Sequence, residues 1–392
     1  MRKGWEYKKL GEVCTIERGG SPRPINNYIT DAEDGINWIK IGDAQEGSKY
    51  ITSTKEKIKP EGVKKSRFVH KGDFILSNSM SFGKPYILKV DGCIHDGWLV
   101  IHDNNDTFIK DYLYYLLACP TMYAKFSQLA VGGVVNNLNS SLVRNVEIPL
   151  PPLSTQLSIV SELDKINELI RLKKEQLKDF DNLAQSIFYE MFGDPVENER
   201  GWEVKIIGDL ALVKTGPFGS MLHKEDYICD GIPLVNPIHM KDFKIVPDLD
   251  FTISKEKASE LENYLLKNND IVFARRGNIG RCAIVSEAEQ GFICGTGSLF
   301  VRFSKEIESI FIMYIIRCDS FTKHLISKAK GATMLNINSN TIADLKLPLP
   351  PLPLQHLFAQ RIEQIEHQKA EVQKSITDLE TLLASRMQYW FE

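Results

Sequence analysis

The stretch IPLPPLSTQ, Ile148 to Gln156, places three prolines in front of an apolar-periodic run, and LPLPPLPLQ, Leu347 to Gln355, does so again about two hundred residues later. Proline is tolerated just outside a helix or in its first turn, where no intrahelical N–H bond is lost, and it holds the preceding residue extended. Each stretch therefore reads as a stiff corner between a folded domain and the start of a helix. Outward from these corners the chain repeats itself. GWEYKKLGEV (Gly4 to Val13) matches GWEVKIIGDL (Gly201 to Leu210) at an offset of 197, the difference between Trp202 and Trp5. GDFIL (Gly72 to Leu76) matches NDIVF (Asn269 to Phe273), and Gly83-Lys84 matches Gly280-Arg281, at the same offset. NNLNSSLVRNVEIPLPPL, Asn136 to Leu153, aligns with LNINSNTIADLKLPLPPL, Leu335 to Leu352, at an offset of 199.

The whole chain thus consists of two copies of one unit. In each copy the first ~150 residues mix short β-rich runs with Gly-rich turns and one apolar helical run. The runs are FILSN, YILKV and WLVIH with the helix DYLYYLLA in copy one, and IVFAR, CAIVS and SLFVRF with IFIMYIIR in copy two. That pattern predicts a mixed α+β domain followed by a long helix.

The two helices carry a seam. Ile159, Leu163, Ile166, Ile170, Lys173, Leu177, Phe180, Ala184, Ile187 and Met191 step by four and three residues without a break. Phe358, Ile362, Ile365, Lys369, Val372, Ile376, Leu379, Leu383, Arg386 and Trp390 repeat the heptad. FGDP, Phe192 to Pro195, supplies a glycine-then-proline stop for the first. A helix of about 38 residues is roughly 57 Å long. Two such stripes in one chain are expected to bury against each other as an antiparallel coiled coil, with a globular domain at either end. Lys173, Lys369 and Arg386 interrupt the seam, where charge is costly unless paired. They are expected to fix register or to mark where the coil opens to a partner.

Composition sets outer bounds. With 392 residues, 25% charged and 43% hydrophobic, the chain has room for two or three globular domains. No apolar run approaches the ~18 residues of a membrane span, and MRKGWEYKKL lacks a signal-peptide core, so a cytoplasmic location is expected and no membrane partner. The seven cysteines form no CxxC pair and read as reduced, and no histidine stands at metal-binding spacing. A net charge of −3 argues against an indiscriminate nucleic-acid coat but leaves room for local basic loops.

The GWExxxLG start, the glycine loop after an apolar strand, the N-x-(L/I)-N-S turn into (I/L)PLPPLxxQ and the heptad helix, each present twice, resemble the specificity (S) subunit of Type I restriction-modification systems. The resemblance covers nearly the whole chain. It implies a non-catalytic reader of double-stranded DNA. Residues 1–150 and 196–349 would be target recognition domains, each reading half of a bipartite sequence. Residues 151–195 and 350–392 would be the spacer helices. It also implies two methyltransferase (M) subunits that bind S-adenosylmethionine, restriction (R) subunits that use ATP and Mg, and no cofactor in this chain. B-DNA turns once per ~34 Å, so a ~57 Å spacer suits half-sites one to two turns apart.

Reading bases requires donors and acceptors on base edges, with cations and backbone N–H groups on phosphates. Four loops offer them. ERGGSPRP carries Arg18, Ser21 and Arg23 around glycines that permit close backbone approach. SNSMSFGK carries Ser77, Asn78, Ser79, Ser81 and Lys84. Their counterparts are KTGPFGS, with Lys214 and Ser220, and ARRGNIGR, with Arg275, Arg276, Asn278 and Arg281. SNSMSFGK is polar and nearly neutral where ARRGNIGR holds three arginines, as expected if each domain reads a different half-site. Lys84 and Arg281 occupy matching places suited to phosphate contact. Asn136, Asn137, Asn139, Asn336, Asn338 and Asn340 are expected mainly to build turns through their own backbone, and Trp5 and Trp202 to anchor cores.

FICGTGSLF, Phe292 to Phe300, imitates an S-adenosylmethionine turn. The acidic residue and proline expected before such a turn are missing, as is any Asn-Pro-Pro-Tyr motif, and the aligned GCIHDGWLV of copy one lacks the pattern. No Walker A motif or PD-(D/E)xK cluster is present. A self-contained methyltransferase or nuclease is disfavoured on these grounds. A pure scaffold is disfavoured because loops diverge while corners are kept.

Overall fold

The computed structural model describes residues 2, 4–45, 47–78, 83–130, 138–277, 279–329 and 336–392, without the side chains of residues 130 and 220. The chain divides into two compact units, residues 1–174 with 374–392, and residues 175–373. Both are mixed α+β, and the long helices Leu153–Phe192 and Leu352–Phe391, 40 residues each, contribute a part to each unit.

In the first unit a five-stranded sheet runs in the order Cys14–Arg18, Trp98–Asp103, Phe74–Ser77, Pro85–Leu88, Tyr50–Ile51. Its first four strands pair antiparallel. Trp98–Asp103 is an interior strand, paired on both sides, with Trp98, Leu99, Val100 and Ile101 buried. That full burial explains the unbroken apolar run that marked it as a strand. A second sheet carries Ile36–Ile39 parallel to Gly92–Ile94. Helix Lys110–Ala118 closes the core through Tyr112, Leu113 and Leu116. The second unit repeats the plan. Ala211–Thr215, Ser298–Phe303, Ile271–Ala274 and Cys282–Ile284 form one sheet, Ile232–Val235 runs parallel to Ile293–Cys294, and helix Ser309–Arg317 covers the core.

Each repeat is also tied at its two ends. The opening strand Glu6–Lys9 pairs antiparallel with Glu147–Leu150, which leads into the proline corner, and Glu203–Ile206 pairs with Lys346–Leu349 in the same register. Pro149 and Pro348 sit in these two-stranded ribbons, where a missing N–H can face away from the ladder. One turn into the helix a buried glutamine completes the corner. Gln156 accepts from the Ile109 amide at 2.8 Å and donates to the Thr107 and Pro151 carbonyls at 3.1 and 3.0 Å. Gln355 accepts from the Glu308 amide at 3.1 Å and donates to the Pro350 carbonyl at 2.8 Å. Each glutamine therefore joins the corner to the residues just before the domain's apolar helix.

The seam is antiparallel within each unit. In the first, Glu162 pairs with Arg386 and accepts from the Trp390 indole at 3.0 Å, and Lys174 meets Glu380 at 2.8 Å. In the second, Asp181 meets Lys369 at 2.9 Å and Phe188 packs on Phe358 at 5.6 Å between rings. Ile159, Leu163, Ile166, Ile170, Ile362, Ile365, Val372 and Ile376 are buried, while Leu177, Phe180, Ile187, Leu379 and Leu383 are half-buried. Toward the end of the first helix Ala184 is buried as read, but beyond it full burial moves one position, from Ile187 and Met191 to Phe188 and Phe192. A straight helix drifts about 20° per heptad from a 3.5-residue repeat, and here Phe188 and Phe192 also meet Phe311 of the domain core.

Gln156→Ala is expected to leave one buried and two half-buried backbone groups without that side chain's hydrogen bonds and to destabilise the first unit by about 1–3 kcal/mol, read from the urea midpoint. Glu162→Gln is expected to cost about 1–2 kcal/mol after allowance for solvent screening. The hydrogen bond from Arg386 chiefly holds the Glu162 carboxyl below its ordinary value, with Trp390 adding to it. This stabilisation is complete above the unfolded carboxyl value of about 4.3 and is lost as pH falls through the lower folded value. The variant should lack that slope in a thermal-midpoint pH series.

Candidate nucleic-acid interface

In each domain the two central strands, Phe74–Ser77 beside Trp98–Asp103 and Ile271–Ala274 beside Ser298–Phe303, finish next to a short turn. The turn is His95–Asp96–Gly97 in copy one and Gly295–Thr296–Gly297 in copy two. Asn78 and Arg275 follow the strands at equivalent places. Their amides donate to the Gly97 and Gly297 carbonyls, both at 2.9 Å, and their carbonyls accept from the Leu138 and Ile337 amides at 2.9 and 3.0 Å. The backbone setting is the same and the side chain is different.

Four of the residues singled out in the first copy converge on one that was not. Ser21 donates to the Asp96 carboxylate at 2.7 Å, and Arg23 reaches its other oxygen at 3.3 Å. Arg18 and Asn78 both donate to the Asp96 carbonyl at 3.0 Å. The glycines of ERGGSPRP make this possible, but the backbone they approach is the protein's own. A Cβ on Gly19 would overlap the His95 carbonyl, and Gly20 donates to Ile94. The hydrogen bond from Ser21 holds the Asp96 carboxyl below its ordinary range, against its partial burial. Burial pushes the neighbouring His95 imidazole below its usual value, so it is neutral at pH 7. The Asp96 side chain remains 41% exposed and that of Arg23 81%. Beside them opens a cleft of about 1170 Å³, walled by Trp38, Ile25, Lys40 and His95.

Copy two keeps the geometry and changes the charge. A Cβ on Gly216 would overlap the Gly295 carbonyl, as Gly19 does His95. Arg275 is half-buried, its Nε without a hydrogen-bond partner among the described residues. Burial, and then the Arg276 charge, lower its pKa from a value so high that it stays charged. Arg276 is exposed and its backbone bridges Asn336. Arg281 donates to the Pro237 carbonyl at 3.0 Å. Lys214 is next to last in the strand Ala211–Thr215, its ammonium 4.9 Å from the Tyr264 ring, and Ser220 lies in a short 3-10 turn.

The remaining candidates divide by role. Ser77 is buried and accepts from the Lys84 amide at 3.0 Å, closing the glycine loop, while the Lys84 side chain is exposed. Ser79, Ser81, Asn278, Asn136 and Asn137 lie outside the described residues. Asn139 and Asn338 cap short helices, accepting from the Leu142 and Thr341 amides, which is the turn-building role expected of them. Trp5 stacks on Trp390 and Trp202 donates to the Phe192 carbonyl at 3.0 Å. The glycines of FICGTGSLF are used internally, since a Cβ on Gly295 or Gly297 would meet Asn236 or Pro237. Among the described residues no group of three or more His, Cys, Asp or Glu is placed to hold a metal, and no helix is long and apolar enough to cross a membrane.

Comparison with known proteins agrees with this duplicated architecture. The chain is 25% identical to the Type I restriction enzyme MjaIX specificity subunit of Methanocaldococcus jannaschii over 97% of its own length and 91% of that protein's. It is 21% identical to the EcoBI specificity subunit of Escherichia coli, covering 96% and 82%. Its fold is similar to a solved chain of the type I R-M system (TM-score 0.66, 20% identity, covering 99% and 97%) and to the S subunit from M. genitalium (0.51, 13%, 99% and 96%). The model for the Type I restriction modification DNA specificity domain matches twice, at residues 2–179 and 199–381, so the chain belongs to that family and carries two copies of its domain.

Proposed function

We propose that this chain is the DNA-reading, non-catalytic subunit of a Type I restriction-modification complex, in which each domain reads one half of a bipartite target. The observation that carries this reading is the pair of equivalent strand-end turns. They keep one backbone geometry, and beside it the exposed Asp96 carboxylate of the first copy gives way to an arginine-rich surface in the second. A shared frame with divergent, polar and partly exposed side chains is what two readers of two sequences require. Residues 1–150 and 196–349 are the recognition domains in this reading, and 151–195 and 350–392 the spacer.

The paired helices set the distance between half-sites and dock two methyltransferase (M) subunits, with restriction (R) subunits joining the assembly. Methylation would draw on S-adenosylmethionine held by the M subunits, and translocation and cleavage on ATP and Mg held by the R subunits. Lys84 serves a phosphate, being exposed just after a glycine loop, and Arg276 contributes positive charge to the second surface. The cross-helix pairs Glu162–Arg386 and Asp181–Lys369 support the register-fixing role of the seam charges, since each places a cation of one helix against a carboxylate of the other.

The test is modified-base sequencing of host DNA with and without this chain, in the presence of its methyltransferase partner. A split motif methylated in both halves and lost without the chain is the expected result, and an unchanged methylome contradicts the reading. Removing seven residues from each helix, 176–182 and the facing 368–374, shortens the spacer by about 10 Å, or roughly three base pairs. The half-sites should then keep their identity and move closer by that amount. A changed half-site, or an unchanged spacing, would remove the ruler from the mechanism.

A further inference from the structure

We infer that the strand-end turn is the base-reading element of both domains and that its charge selects the base. Asp96, together with Arg23, reads an exocyclic amino group flanked by an acceptor in the first half-site, and Arg275 reads guanine in the second. This rests on the DNA-reading function proposed above and assigns chemistry to its two sites.

The argument begins with what a carboxylate can do on a DNA-facing surface. Phosphates repel it, so it contributes nothing to backbone binding. On base edges its partners are the amino groups, cytosine N4 or adenine N6, because guanine and thymine present only acceptors and a methyl group in the major groove. Asp96 is built to stay available for that purpose. Its backbone carbonyl is pinned by Arg18 and Asn78, and its carboxylate is steered by Ser21 at 2.7 Å and Arg23 at 3.3 Å. A carboxylate offers about four lone-pair sites, so these contacts leave acceptor capacity on the exposed part of the group. Arg23, itself 81% exposed, spends one guanidinium nitrogen on Asp96 and keeps further donors beside it. An acceptor next to a donor complements cytosine N4 beside its paired guanine, and equally adenine N6 beside N7.

The second domain supplies the contrast. Thr296 stands where Asp96 stands and Arg275 where Asn78 does, the latter pair fixed by the same hydrogen bonds to Gly97 and Gly297. Here the carboxylate is gone, replaced by a neutral hydroxyl, and a forked donor has taken its neighbour's place. The Nε of Arg275 is buried without a partner among the described residues, while the residue as a whole is only half-buried and so reaches the surface beside the turn. A guanidinium matches guanine O6 and N7 in a bidentate pair. Asn78 in the first domain is 2% exposed and already donates to Asp96, which makes it a positioning residue for the turn.

The experiment uses the full chain assembled with its methyltransferase partner and selects binding sites from DNA randomised in one half-site at a time. In the wild-type complex the first half-site should contain a required base pair whose selection depends on Asp96, and the selected pair tells whether cytosine N4 or adenine N6 is read. The second should contain a required guanine. Asp96→Asn, nearly isosteric, should reduce preference at one position of the first half-site by about 5- to 150-fold and leave the second untouched. Asp96→Thr, the second domain's residue at this place, should do the same. Arg275→Lys keeps the charge but loses the fork, and should relax one guanine of the second half-site alone. Unchanged preferences, or a uniform loss across all sequences with either Asp96 variant, would overturn the assignment. If the wild-type complex selects no split sequence, the proposed function itself fails. If it does and the variants read as wild type, only this assignment falls.

Discussion

The structure depends on one backbone constraint, the closure of each repeat upon itself. The first strand of the repeat pairs with its last, just before the proline corner, so the ends of about 145 residues are held together by a two-stranded ribbon, as the pairing of Glu6 with Leu150 implies. The second repeat closes the same way, Glu203 against Leu349. Two-stranded ribbons are marginal alone and need packing to persist. The glutamine one turn into the helix supplies part of it, since its amide spans the corner and the residues just before the domain's apolar helix. Closure, corner and glutamine make the direction of the long helix a property of the domain core and not of a flexible joint.

That constraint explains why the loops are free to differ. With both ends fixed and the central strands buried, the turns at the far ends of those strands bear none of the closure. What they must preserve is the close approach of Gly19 to the His95 carbonyl and of Gly216 to the Gly295 carbonyl, because a side chain there would push the turn away. Everything beyond that is open to replacement. The copies accordingly agree in backbone hydrogen bonds at Asn78 and Arg275 and disagree in the chemistry those positions carry.

Much of this was legible in the sequence because repeats and periodicities record burial. FILSN, WLVIH, IVFAR and SLFVRF became strands within a residue or two of their apolar runs, and the heptads became antiparallel helices. Where the heptad reading slipped, at Phe188 and Phe192, the helix was packing against a domain core as well as its partner helix, and period alone does not say which neighbour is nearer. Gln156 and Gln355 were visible in both corners, yet a glutamine in a first helical turn looks like surface until its partners, Thr107 and Ile109 or Glu308, are brought beside it. Asp96 was missed for a similar reason. Arg18, Ser21 and Arg23 sit more than seventy residues before it, and no local pattern announces that they meet there.

The same comparison separates two uses of charge in this chain. In the seam, Lys369 and Arg386 are each held by a carboxylate on the opposite helix, so their charge is spent internally. At the strand ends the balance is left uneven on purpose of geometry: Asp96 keeps an exposed carboxylate after Ser21 and Arg23 have placed it, and Arg275 keeps a buried nitrogen without a partner among the described residues. Leaving a buried polar atom unsatisfied in a folded protein costs stability. The duplicated fold thus pairs Lys369 and Arg386 across its seam and keeps an exposed carboxylate at its first strand-end turn.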